Sequence, residues 1–225
     1  MGYNRCMRIS PKGFTLIELM VVLAIVVLVS LVLLVSNQRF NSSILLRSLA
    51  YQVGLSVREA QLYGVAVRGA GRDIGGNLIL AQCSTGDSSQ FCSSFGVHFD
   101  KAQTTQYVLF PDISNNGVYD DGGLVSKTYR TQYGFTISNF CAVGTTVRCS
   151  KVCPIQYPDC TKNISTLDIV FRRPSPNAII RAKTNADSLV GPFASAYIEV
   201  SAPGGSTRSV SVSLTGQIVI TGGGN

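Results

Sequence analysis

An unbroken apolar run from Phe14 to Val35 constrains this chain more than any other feature. It is 22 residues long and carries one charge, Glu18. A helix of roughly 20 apolar residues spans the hydrocarbon core of a bilayer, so the run predicts a transmembrane helix. No glycine or proline interrupts the chain between Phe14 and Val53, which lets the helix continue past the membrane. Glu18 is the anomaly. A charged side chain in lipid costs on the order of 2.5–3.5 kcal/mol at the bilayer centre and less near its edge. A segment that served only as an anchor would not carry it, so Glu18 calls for a cationic partner. The nearest source is the amine that would be made by cutting the Gly13–Phe14 bond.

The residues around that bond are Lys12-Gly13-Phe14-Thr15-Leu16-Ile17-Glu18. With the basic segment before them and the apolar helix after them, they resemble the class III signal of type IV pilins and type II secretion pseudopilins. An ordinary secretory signal has a shorter apolar core ending at small residues of A-x-A type, and none is present. The resemblance implies that a prepilin peptidase cuts between Gly13 and Phe14 and that Phe14 becomes the N-methylated first residue. It implies that Glu18 serves assembly, pairing with the new amine of its own or a neighbouring subunit. The implied partners are other pilin or pseudopilin subunits, the peptidase and an inner-membrane assembly platform. Many family members have a proline where this chain has Val35.

The leader holds Arg5, Arg8 and Lys12 and no acid. A basic flank stays in the cytoplasm, so the chain is expected to cross the inner membrane once with the rest outside. Formal net charge is +7, and loss of the leader leaves +4. That balance is too mild to demand a nucleic-acid partner. Seven cysteines are present, and the cut would remove Cys6. The remaining six, Cys83, Cys92, Cys141, Cys149, Cys153 and Cys160, are an even number in an exported segment and read as disulfides. Cys83–Cys92 closes a local loop, while the last four can pair among themselves in three ways. Their spacing lacks the C-x2-C knuckles of common zinc sites.

Four segments follow. Residues 1–13 form the leader, 14–35 the transmembrane and assembly helix, 36–70 an amphipathic continuation into the head, and 71–225 a β-rich, disulfide-stapled head. In the second helical part Phe40, Ile44, Leu45, Leu49, Val53, Val57, Ala60 and Val67 recur at spacings of three to four and predict one buried face. Strands are predicted at Leu78–Ala81, Phe95–Phe99, Gln106–Phe110, Gly134–Ile137, Thr166–Phe171, Ala178–Ala182, Ala196–Ser201, Ser209–Leu214 and Gln217–Thr221. Turn signals between these short strands favour antiparallel pairing over βαβ units. The expected fold class is therefore α+β, a long N-terminal helix packed on an antiparallel head. The Phe-Gly-Val-x-Phe strand, the Asp/Asn/Gly loop and the closing Val-Ser-Leu-Thr-Gly-Gln-Ile-Val-Ile segment are similar to the GspH/FimT group of minor pilins and pseudopilins.

Two segments of the head carry candidate chemistry. In Asp112–Gly123, alternate oxygens of Asp112, Ser114, Asn116, the Val118 carbonyl and Asp120 follow the spacing of a calcium loop, with Asp121 as a closing carboxylate. The closing glutamate of that pattern is replaced by Gly123, and the Asn-Gly and Asp-Gly steps also read as plain turns. No cofactor other than Ca²⁺ is expected. Arg172, Arg173, Arg181, Lys183 and Arg208 are candidates for a phosphate-contacting strip along adjacent strands. They support an alternative reading as a DNA-uptake or adhesive minor pilin. The lone histidine, His98, reads as a partly exposed strand residue. With no G-x-S-x-G elbow and no P-loop, the chain is expected not to be an enzyme.

Overall fold

A computed structural model describes residues 13–66, 71–72, 78–79, 94–112, 114–120, 125 and 127–222, apart from the side chains of 34–41, 71–72 and 78–79. The chain divides into two compact units, Met1–Asn41 and Ser42–Asn225. The Cys83–Cys92 pair, Val67 and Asp121 lie outside the described residues.

Helix α1 runs from Leu16 to Val65. It starts where Thr15 can cap it. The Thr15 hydroxyl accepts the Glu18 N–H at 3.3 Å, and its carbonyl accepts the Leu19 N–H at 3.2 Å. Such a cap satisfies donors that have no partner within the helix. The stretch Leu16–Leu33 has a mean hydropathy of 3.1, and none of its residues is buried among the described residues. It is long and apolar enough to cross a membrane. Its one hydroxyl, on Ser30, donates to the Val26 carbonyl at 2.7 Å, so it needs no partner from the surroundings. The helix continues through Val35 without a break.

In the second unit α1 turns one face inward, consisting of Leu46, Leu49, Ala50, Val53, Val57 and Ala60. The predicted face therefore holds from Leu49 to Ala60 but is corrected at its start. Ile44 and Leu45 are exposed, and Leu46 is buried instead. Stepping back from Val53 by the helical repeat of 3.6 residues reaches 49–50 and then 46. The helix ends at Val65, close to the Gly64 that weakens it.

The head strands are β1 (Gly71–Arg72), β2 (Leu78–Ile79), β3 (Ser94–Asp100), β4 (Gln106–Asp112), β5 (Lys127–Arg130), β6 (Thr136–Val143) and β7 (Val147–Cys149). They continue with β8 (Ile164–Phe171), β9 (Ala178–Thr184), β10 (Leu189–Val190), β11 (Ser195–Ser201), β12 (Thr207–Ser213) and β13 (Ile218–Gly222). One sheet has the order β10-β9-β8-β3-β4-β5, a second the order β13-β12-β11-β6-β7, and β1 pairs with β2. All the strand pairings are antiparallel. The main apolar core draws on the inward face of α1 and one face of each larger sheet, and a small second cluster gathers Cys141, Cys149 and Tyr197. The rings of Phe99 and Phe140 lie 6.5 Å apart and join the two sheets across it. The fold class is α+β.

Candidate functional site

The Gly13–Phe14 bond lies just outside α1, in non-helical backbone. Both residues are exposed, and the Phe14 side chain is 81% accessible. A Cβ added at Gly13 would meet no atom within 4 Å. Nothing packed among the described residues therefore requires glycine there, and a requirement for it would come from whatever cuts the bond. Glu18 sits in the first turn of α1, where the helix dipole favours a negative charge.

In the head, the segment 114–120 folds over the face of the six-stranded sheet that points away from the core. Asp112 organises it. One carboxylate oxygen accepts the Gly117 N–H at 2.9 Å and the Ser94 hydroxyl at 3.0 Å. The other accepts the Asn116 N–H at 3.1 Å. Asp120 accepts the Ser114 hydroxyl at 2.6 Å and the Asn116 amide at 3.0 Å. The Asn116 side-chain oxygen takes the Val118 N–H at 2.9 Å. The candidate calcium ligands Asp112, Ser114, Asn116 and Asp120 are thus brought together, and they bond to one another. Asn115 and Gly117 both adopt positive φ, 58° and 78°, a conformation that asparagine and glycine tolerate best.

The basic candidates are dispersed. Arg172 donates to the Asn115 carbonyl. The Arg181 side chain lies against Gly117, and a Cβ there would stand 3.3 Å from its Nε. Both arginines therefore support the loop. Lys183 approaches Asp187 at 3.7 Å. Arg173 follows the end of β8 and is exposed. Arg208 lies on β12, in the other sheet, so the predicted strip along adjacent strands is corrected. Antiparallel return through β11 and β12 carries that residue to the second sheet.

Beneath the loop is a pair that the sequence reading missed. His98 Nδ1 meets Asp168 Oδ1 at 2.7 Å, with Asp168 fully buried and the His98 side chain only 13% exposed. Tyr119 of the loop covers the imidazole at 4.6 Å between ring centres. Burial pushes the Asp168 carboxyl up, against the hydrogen bond and charge of His98. His98 therefore keeps a partly exposed position on its strand, with Tyr119 lying over its ring. The available signal was Asp168 itself, an acid inside Leu167-Asp-Ile-Val-Phe171.

The four late cysteines form Cys141–Cys149 and Cys153–Cys160. The β6–β7 hairpin sets Cys141 opposite Cys149, which selects one of the three schemes. Among the described residues no three His, Cys, Asp or Glu side chains cluster as a metal site.

The family described as the prokaryotic N-terminal methylation motif matches residues 10–34. This supports the type IV pilin and pseudopilin family, and it implies processing by a prepilin peptidase and assembly with other pilins at a membrane. No curated protein and no solved structure matches the chain.

Proposed function

We propose that this chain is a structural, minor subunit of a type IV pilus or type II secretion pseudopilus. Its helix is held once in the inner membrane, with the head outside the cytoplasm, until it joins the fibre. The observation that carries the reading is the exposed Gly13–Phe14 junction ahead of an apolar helix whose first turn contains Glu18. Cutting creates an amine one helical turn from that carboxylate. A buried charge left without a partner is heavily penalised, so the pairing selects the register in which a subunit enters. The subunit acts by packing and is proposed not to catalyse a reaction.

Gly13→Val should leave an uncut precursor, visible as a larger band by immunoblotting. Glu18→Ala should be cut normally yet yield few fibres. Normal incorporation of Glu18→Ala would refute the pairing role.

For the head, the DNA-uptake reading draws on Arg172, Arg181 and Lys183, which share β8–β9 and the turn after β8. Retention of the full-length protein on DNA at low salt, lost as salt rises, would support it. Ca²⁺ at Asp112–Asp121 would have to displace the amides that Asp112 now accepts. A rise in melting temperature with Ca²⁺ would support that site, and no change would dismiss it.

A further inference from the structure

We propose that a disulfide-stapled knob on one copy of this chain inserts Ile155 into the hollow between α1 and β13 of a second copy. The inference rests on the assembly role proposed above and names the head contact it would use.

The knob follows β7 at one edge of the five-stranded sheet. Cys153–Cys160 closes it, and two successive turns shape it, Tyr157 N–H to the Pro154 carbonyl at 2.8 Å and Cys160 N–H to the Tyr157 carbonyl at 3.3 Å. Its root is held by Asn139, itself buried. The Asn139 side-chain oxygen accepts the Ser150 hydroxyl at 3.0 Å and the Lys151 N–H at 3.1 Å, and its amide donates to the Val152 carbonyl at 2.7 Å. The Tyr157 ring stands edge-on to Tyr197 at 6.4 Å. On this fixed support Ile155 is 95% exposed. An apolar side chain held out on an ordered platform loses little conformational freedom when it binds.

The receiving hollow lies at the opposite edge of the same sheet. It is a shallow, open depression of about 350 Å³ lined chiefly by Tyr51, Gly54, Leu55, Ile218 and Ile220, with Arg58 beside them. Leu55 is 67% exposed. The edge strands β7 and β13 are four strand spacings apart, roughly 19 Å at about 4.8 Å each. A knob at one edge and a hollow at the other complement each other between copies placed side by side. Contacts of this head-to-tail kind propagate as rings or open helical filaments. Charge favours the same occupant. Within the Cys153–Cys160 loop the one charged residue is Asp159, which is exposed, with Lys151 and Lys162 outside the loop at its stem, while Arg58 is exposed and donates to the neutral Gln61 side chain.

The test places p-benzoylphenylalanine at position 155 of the full-length chain and irradiates producing cells. A dimer adduct should form and map by mass spectrometry to residues 51–58 or 218–220 of the second copy. Leu55→Asp, at an exposed position, should lower its yield roughly tenfold or more, as expected for withdrawing one aliphatic contact. Asp159→Arg and Arg58→Asp should each lower it, and the pair together should restore it. No adduct, an adduct elsewhere on a second copy or an adduct with a different protein would overturn the inference. Cleavage at Gly13–Phe14, followed in the same cells, reports separately on the assembly reading.

Discussion

Gly64 shows how one residue can join two elements. It costs helix stability, about 1 kcal/mol relative to alanine, yet it is buried at the end of α1. A Cβ added there would come within 2.3 Å of the Phe171 carbonyl oxygen and 2.8 Å of its carbon. The obstacle is backbone at the end of β8, which cannot swing aside like a side chain. Gly64→Ala should therefore destabilise the head despite alanine's better helix propensity, by about 1–3 kcal/mol. That corresponds to a fall in melting temperature of very roughly 2–10 °C for a chain of this size. Near-UV circular dichroism of the full-length protein in micelles would measure it, and an unchanged or raised melting temperature would contradict the close approach.

Between elements, Glu59 ties α1 to the edge of the six-stranded sheet. Its carboxylate accepts the Tyr129 hydroxyl and, at 2.7 Å, the Tyr63 hydroxyl, and Lys127 approaches at 3.5 Å. Burial pushes the Glu59 carboxyl up, but the tyrosine bonds and Lys127 outweigh it and hold the group below its ordinary 4.5. A lowered acid stabilises the fold fully above its unfolded value, and that contribution is lost as pH falls through the folded one. Glu59→Gln should melt roughly 3–12 °C below wild type at neutral pH, the size expected for one charged hydrogen bond. The gap should close as pH falls below the ordinary carboxylate value of 4.5; a gap of constant width would argue against the ionised carboxylate. Neither Lys127 nor Tyr129 stood out in the sequence, because β5 is four residues long and only Tyr129 among them is buried. Longer strands with alternating apolar residues, such as Thr166–Phe171 and Ser209–Leu214, were legible to within a few residues. The short β7 was not, and with it went the register that pairs Cys141 with Cys149. The knob root was equally hidden, since Asn139 reads as an ordinary polar strand residue. Removing its bonds by Asn139→Ala should speed amide hydrogen exchange at Lys151 and Val152 with little change elsewhere, because those two amides lose their shared acceptor.

Across the whole molecule, the cleavage junction and the head fall in different compact units. The junction precedes the Thr15 cap, so cutting there removes no hydrogen bond of the helix. Cutting is therefore predicted to be independent of whether the head is folded. Gly64→Ala, destabilised in its head, should be cut to the same extent as wild type and be lost only afterwards. A normal mature band beside missing fibres would mark such subunits, and inspection of head quality would fall to the assembly step, where one defective copy could halt a growing filament.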